Sequence, residues 1–188
     1  MDFLELVKNS RSYRSFDGNR PVLREELVKM VECARFAPSA VNRQALKFFL
    51  SADEKTNSVI QPYTKWAGKI KHMQLPPAGH MPTAFVVILA DTGIAPASSV
   101  KTDVGIAAQT ILLAAAHMGL GGCMIAAFDP AVHQALKLPS NLEVSLVIAL
   151  GKPDEEIVLE DAKGNIDYYR DEDNVHHVPK RTLGELIV

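Results

Sequence analysis

The sequence predicts an α+β fold, and three observations carry that prediction. Two strongly apolar runs, 84–90 (AFVVILA) and 142–150 (LEVSLVIAL), read as strands buried in a sheet. The stretch 102–128 (TDVGIAAQTILLAAAHMGLGGCMIAAF) reads as a long helix that exits through glycines, and between Asp103 and His117 its only polar side chains are Gln109 and Thr110. A helix apolar nearly all round is expected to be buried. Finally, about four strands and about six helices follow one another without regular strand–helix alternation, which favours α+β over a doubly wound sheet.

Composition narrows the function classes. At 188 residues, with 47% hydrophobic and 22% charged side chains, the chain is long enough for a single domain, 1–188, with a real core. A net charge of −2 gives no general pull toward nucleic acid or an anionic membrane, so neither is expected as a partner. The long helix, at roughly 16–18 residues, falls short of the ~20 that span a bilayer. Two cysteines, Cys33 and Cys123, are too few for a disulfide framework and lack zinc-ligand spacing. Asp2, Glu5 and Lys8 interrupt any signal-peptide core, which points to a cytoplasmic location.

Taken in order, 2–9 alternates apolar and charged positions with Phe3, Leu4 and Val7 on one helical face. Residues 23–36 form an amphipathic helix with Leu27, Met30, Val31 and Ala34 inward. Pro38 ends it. A strand is predicted at 46–50, a short helix at 53–60, and an irregular excursion at 61–81. Thr102 or Asp103 is the expected cap of the long helix. A strand at 123–126, a short helix at 130–136, a polar, turn-rich tail to His177 and a last helix at 182–187 complete the reading.

Three stretches carry possible chemistry. Arg11, Ser12 and Arg14 place two guanidinium forks around a hydroxyl near one end, and Lys180 and Arg181 form a basic pair near the other. Such groups hold phosphate, although solvated surface charge is the plainer reading of the pattern alone. Pro38, Ser39, Asn42 and Gln44 put a hydroxyl and two amides on one loop, suited to the edge of a planar heterocycle or simply to turn formation. The 119–127 stretch (GLGGCMIAA) leads from helix to strand through small residues that would let a flat ligand approach backbone, or would merely cap the helix. Cys123 has no evident base beside it and reads as packing. No metal-binding spacing occurs, and no side-chain catalytic dyad is evident.

Together these motifs resemble the nitroreductase family of FMN-dependent oxidoreductases. The resemblance lies in 11–16 (RSYRSF), 37–44 (APSAVNRQ), 103–109 (DVGIAAQ), 118–123 (MGLGGC), 149–153 (ALGKP) and 178–181 (VPKR), in that order along almost the whole chain. It implies a mixed, mostly antiparallel central sheet flanked by helices, in an intertwined homodimer with FMN at the subunit interface. By the same resemblance Arg11, Ser12 and Arg14 hold the phosphate and the neighbouring ring edge, and Arg181 with Lys180 completes the phosphate site. Pro38, Ser39, Asn42 and Gln44 would come from the neighbouring subunit. The backbone at Ile125 and Ala126 would approach the flavin ring. Tyr63, Trp66, His72 and Met73 would wall the substrate cleft. Two departures stand out: Ala126 where relatives commonly carry glycine, and Gln44-Ala45-Leu46 where Gln-Pro-Trp is common.

The implied activity is hydride transfer from NAD(P)H to FMN, followed in ping-pong order by reduction of a nitroaromatic, quinone or related acceptor. The flavin carries the chemistry, so no catalytic side chain is required. The resemblance leaves two other readings open. One is specialised flavin chemistry, such as dehalogenation or flavin destruction; the other is non-catalytic FMN binding or storage.

Overall fold

The structure is a computed structural model that describes residues 2–70 and 73–188. In chain order its elements are α1 (Phe3–Asn9), β1 (Phe16–Asp17), α2 (Arg24–Arg35), β2 (Leu46–Ser51), α3 (Glu54–Ile60), β3 (Ala84–Asp91), α4 (Lys101–His117), β4 (Gly121–Ile125), α5 (Val132–Ala135), β5 (Leu142–Pro153), β6 (Ile157–Asp161), β7 (Tyr169–Arg170), β8 (His176–Lys180) and α6 (Leu183–Leu186).

The central sheet is built on β5. It pairs with β3, β4 and β1, and β3 pairs in turn with β2. All of these pairings are antiparallel. Strand alternation sends Ala84, Val86, Ile88 and Ala90 of β3 to one face, where α2 and α4 cover them. Phe85, Val87 and Leu89 go to the other, with Ile60, Trp66, Phe128 and Leu136. Both faces of β3 are therefore buried, which is why its sequence is an unbroken apolar run. Each fully buried Phe, Ile or Leu contributes about 1.5–3 kcal/mol.

Helix α4 lies on this sheet with Val104, Ala107, Ala108, Ile111, Leu112, Ala115 and Ala116 buried. Its opposite side is not covered by this chain: Gly105 and Gln109 are exposed, and Ile106 and Leu113 are half-buried. The expectation of burial all round is thus corrected to one face within a single chain. The capping expectation is corrected too. Val100 precedes the first turn, and no side chain caps it. Asp103 lies inside the helix, 5% exposed, and accepts the Ala40 N–H at 3.1 Å. It ties the 38–44 loop to the start of α4.

The other end of α4 closes as expected. Gly119 takes φ +72°, Leu120 N–H bonds to Ala115 O at 2.9 Å, and Gly119 N–H bonds to Ala116 O at 3.0 Å. This is the paired closure of a Schellman motif, and it needs a left-handed residue at 119. The chain then enters β4 directly.

The tail departs most from the sequence reading. Where turns were expected, β6 and β8 pair in parallel and β7 adds antiparallel to β8, giving a second, three-stranded sheet. These strands are short and half-exposed, so they lack the long apolar runs that mark β3 and β5. With two-residue β1, they bring the strands among the described residues to eight rather than about four.

The glycines opening β4 serve packing. A Cβ at Gly122 would lie 2.4 Å from the Ala149 carbonyl oxygen, and one at Gly121 would lie 2.5 Å from the Tyr13 ring. The space that the sequence offered to a flat ligand is filled by the protein itself. Gly122→Ala is expected to destabilise the protein by about 1–3 kcal/mol, the usual cost of overpacking. An unchanged urea midpoint and slope would show that β4 can shift away from β5.

Candidate active site

The site begins where the 11–16 segment meets β4. Ser12 forms a parallel bridge with Gly122, and Tyr13 N–H donates to Gly122 O at 3.0 Å. The structure therefore brings Arg11, Ser12 and Arg14 to the glycine-rich strand, two motifs that stand far apart in sequence. The Ser12 hydroxyl lies within hydrogen-bonding reach of Cys123, whose buried thiol has its pKa pushed up by desolvation. A thiol in that state is a packing residue, not a nucleophile.

The two arginines are held differently. Arg11 Nη2 donates to Val7 O at 2.9 Å, while its Nε is buried without a hydrogen-bond partner. Burial pulls the Arg11 pKa below its ordinary value, against a smaller opposing effect of Tyr13. A buried guanidinium N–H with nothing to donate to suits an anion. Arg14 is only 9% exposed. Its Nη1 donates to Ser12 O and to His176 Nε2, each at 3.1 Å, and its Cζ lies 5.1 Å from the centre of the Tyr168 ring.

Sequence reasoning missed the partners of Arg14. Tyr168 and Arg170 come from around β7, His176 opens β8, and Glu155 follows β5. The Glu155 carboxylate accepts the backbone N–H of Arg14 and of Ser15 and pairs with Arg170. The signal that could have pointed to them is the β-branched and aromatic content of 157–159 and 168–169 between turn residues.

Beyond β4, the 63–66 stretch folds onto the strand's exit. Thr64 bridges Phe128, Lys65 N–H donates to Ala127 O at 2.9 Å, and Asp129 N–H donates to Tyr63 O at 2.8 Å. Trp66 is half-buried and fixed by its indole N–H to Thr64 Oγ1 at 2.8 Å. By this pairing Trp66 lies opposite Ala126, whereas Tyr63 lies opposite Asp129. Ile125 is buried, while Ala126 and Ala127 are exposed. Met73 is half-buried; His72 lies outside the described residues.

The 38–44 loop is elsewhere. Pro38, Asn42 and Gln44 are exposed and Ser39 is half-buried. Ser39 Oγ accepts the Gln44 N–H at 3.2 Å, and Gln44 Nε2 donates to Asn42 O at 3.3 Å. Val41, Asn42 and Gln44 all take positive φ, between 49° and 53°. The loop borders an apolar groove of about 400 Å³ between α2 and β2, walled by Val28, Val31, Phe48 and Leu50. It is anchored to the first turn of α4, whereas β4 follows the last. A helix of this length is about 25 Å long, so within one chain the 38–44 loop and β4 adjoin opposite ends of α4.

Lys180 and Arg181 are exposed at the far end of β8, and Arg181 pairs with Glu185 at 3.6 Å. Lys180 is four steps along the strand from His176, about 13 Å, so the strand that touches Arg14 carries the basic pair away from it. Among the described residues no group of three or more His, Cys, Asp or Glu could hold a metal. No helix among them is long and apolar enough to cross a membrane.

Comparison with known proteins agrees with this geometry. The Nitroreductase family model matches residues 7–152, and the chain belongs to that family. An Archaeoglobus fulgidus protein, provisionally named NADH dehydrogenase/NAD(P)H nitroreductase, is 29% identical over 161 residues, covering 81% of this chain and 86% of that one. A solved FMN-dependent nitroreductase from Clostridium difficile is 27% identical with a TM-score of 0.66, covering 82% of this chain and 89% of that one. A nitroreductase family protein from Streptococcus pneumoniae shares the fold end to end, with a TM-score of 0.73 and coverage of 100% and 98% at 19% identity.

Adjacent histidines on β8 face opposite environments and give opposite pH dependence. His176, 2% exposed, is depressed to about 4, first by burial and then by Arg14 and Arg170. His177 is raised, chiefly by Asp171, with Glu160 helping against a smaller desolvation effect. The unfolded chain takes up the His176 proton near 6.5 and the folded chain only near 4, so acidification through that window favours unfolding. The His177 contribution is full below 6.5 and is lost as pH rises through its raised value. Thermal unfolding is expected to show falling stability from pH 6.5 to 4, with a shallower fall in His176→Gln. Parallel profiles for the two proteins would remove His176 as the cause.

Proposed function

We propose that the protein is an FMN-dependent oxidoreductase that takes hydride from NAD(P)H and reduces a nitroaromatic, quinone or related acceptor in ping-pong order. The observation that carries this reading is the docking of Arg11 and Ser12 against β4. It puts an unpartnered, buried guanidinium N–H and the exposed Ala126 and Ala127 along one strand and its exit. An anionic, planar ligand fits that pairing: charge-assisted donors at one end and close backbone approach at the other. When bound, FMN supplies the redox chemistry.

The chain's own residues then have distinct tasks. Arg11 and Ser12 hold the phosphate. Arg14, whose Nη1 is already engaged by Ser12 O and His176, contributes the remaining edge of its guanidinium and its fixed positive charge. Tyr63 and Trp66, tied to 127–129, wall one side of the acceptor cleft, with His72 and Met73 assigned to the same wall. Lys180 and Arg181 reach the phosphate only if their strand end is brought to it. Pro38, Ser39, Asn42 and Gln44 complete the site from a second copy of the chain, because within one copy they adjoin the start of α4 whereas Ser12 docks on β4, which follows its end. A homodimer also gives the half-exposed face of α4 a partner, since obligate interfaces resemble a domain core cut in half.

Titration with FMN, followed by anaerobic addition of NADH or NADPH, tests the reading. The expected result is a bound flavin bleached by at least one of the two. A protein that takes up no flavin, or whose flavin stays oxidised with both, would sink it. Product analysis with nitroaromatic, quinone and halogenated acceptors then separates general reduction from dehalogenation. Arg11→Ala is expected to weaken FMN binding by about 1.5–3 kcal/mol, the range for hydrogen bonds to charged groups; affinity equal to the unmodified protein would remove Arg11 from the site. Sedimentation of the flavin-loaded protein is expected to give a dimer, and a monomer retaining full flavin affinity would overturn the two-subunit site.

A further inference from the structure

The matched family region ends at residue 152, and a buried polar cluster begins just beyond it. Glu155 lies at its centre. One carboxylate oxygen accepts the backbone N–H groups of Arg14 and Ser15, and the other pairs with Arg170. The Arg170 and Glu155 side chains are 2% and 3% exposed. His176, from the next strand, accepts from Arg14 Nη1, and the Tyr168 ring lies 5.4 Å from the His176 ring. A guanidinium can only donate, so His176 accepts through Nε2 and carries its proton on Nδ1. That nitrogen is buried without a partner, as are the Nε atoms of Arg14 and Arg170.

Two features of this cluster bear on the site. First, Arg170 pairs with Glu155, while the buried Arg14 guanidinium meets the Ser12 carbonyl and a neutral histidine, which leaves one surplus positive charge buried in the 11–16 segment. Second, the segment is held at three places. Ser12 and Tyr13 hold to β4, Ser15 O and Phe16 hold to Asp154 and to β5, and between them the Arg14 and Ser15 amides hold to Glu155. Without the Glu155 oxygen, two buried N–H groups would have no acceptor, at about 1–3 kcal/mol each. The stretch between the two strands would then loosen, and with it the presentation of Ser12 and Arg11.

We propose that Glu155 is a positioning residue for flavin binding, and that the C-terminal sheet sets flavin affinity through it. The carboxylate fixes the backbone of Arg14 and Ser15, and this presents Arg11 and Ser12 beside β4; Arg170 and His176 hold the carboxylate and the Arg14 side chain in register. The proposal rests on the flavin reading above and extends it to residues beyond the matched family region.

Removing one member of a buried ion pair can unfold a protein, whereas replacing both members is often tolerated. The test therefore compares two double variants. Glu155→Gln/Arg170→Met keeps an oxygen acceptor at 155, and Glu155→Leu/Arg170→Met removes it. Circular dichroism first establishes that both are folded. In the flavin-free proteins, hydrogen exchange at the Arg14 and Ser15 amides is expected to be faster in the Leu/Met variant and near the unmodified rate in the Gln/Met variant. FMN affinity is expected to fall by at least about tenfold in the Leu/Met variant and to stay within about threefold in the Gln/Met variant. Equal FMN affinity in the two folded variants, whether tight or weak, overturns the proposal, because the acceptor oxygen on which it depends is present at 155 in one and absent in the other. Failure of the unmodified protein to bind FMN overturns the flavin reading instead, and that is read before any substitution is made.

Discussion

The pairing of β5 with three other strands is the constraint from which the rest follows. Its residues 142–150 pair with β3, 147–151 with β4, and 152–153 with β1. Such a strand must satisfy its backbone along both edges and bury side chains on both faces, so it can hold little that is polar in its middle. Through β4 it fixes the height of Ile125 and Ala126. Through β1 it fixes the end of the 11–16 segment. Immediately after Pro153 it delivers Glu155 to the same segment from behind. Three of the groups that define the candidate site are therefore placed by one strand, and their relative positions are as rigid as its hydrogen-bond register.

The sequence disclosed the features that depend on apolar periodicity. Strands β3 and β5 and helices α2 and α4 were legible because each buries enough apolar surface to leave a pattern. The closing glycine at 119 was legible because only a left-handed residue closes that helix end without strain. The C-terminal sheet was not, because its strands are short and half-exposed and its hold on the rest is polar. Helix α4 marks a limit of such patterns: apolar composition all round shows that a helix shuns water on every side, but not whether one chain supplies the cover.

The site was legible only in part. Arg11 and Ser12 dock beside Gly122 on the strand that leads to Ile125, and the 63–66 stretch folds onto the residues after that strand through backbone pairing that no side-chain pattern announces. Arg14 is more embedded than a pair of arginines in sequence implies. Adjacent His176 and His177 illustrate the limit most clearly. Neighbours on a strand point to opposite faces, so one meets buried arginines and the other meets carboxylates. Their environments differ because residues far away in sequence fold against them, and no local reading contains that information.

The length of α4 has a genetic consequence on the two-subunit reading. If each flavin site takes Arg11 from one copy and Asn42 from the other, the two sites of a symmetric dimer share no copy of either residue. A chain defective at Arg11 and a chain defective at Asn42 would each form inactive dimers alone. Mixed together, they would place both defects in one site and leave the second whole. Two broken alleles would then complement each other, with half of the sites intact in every mixed dimer, and that follows from a helix too long for one chain to close its own site.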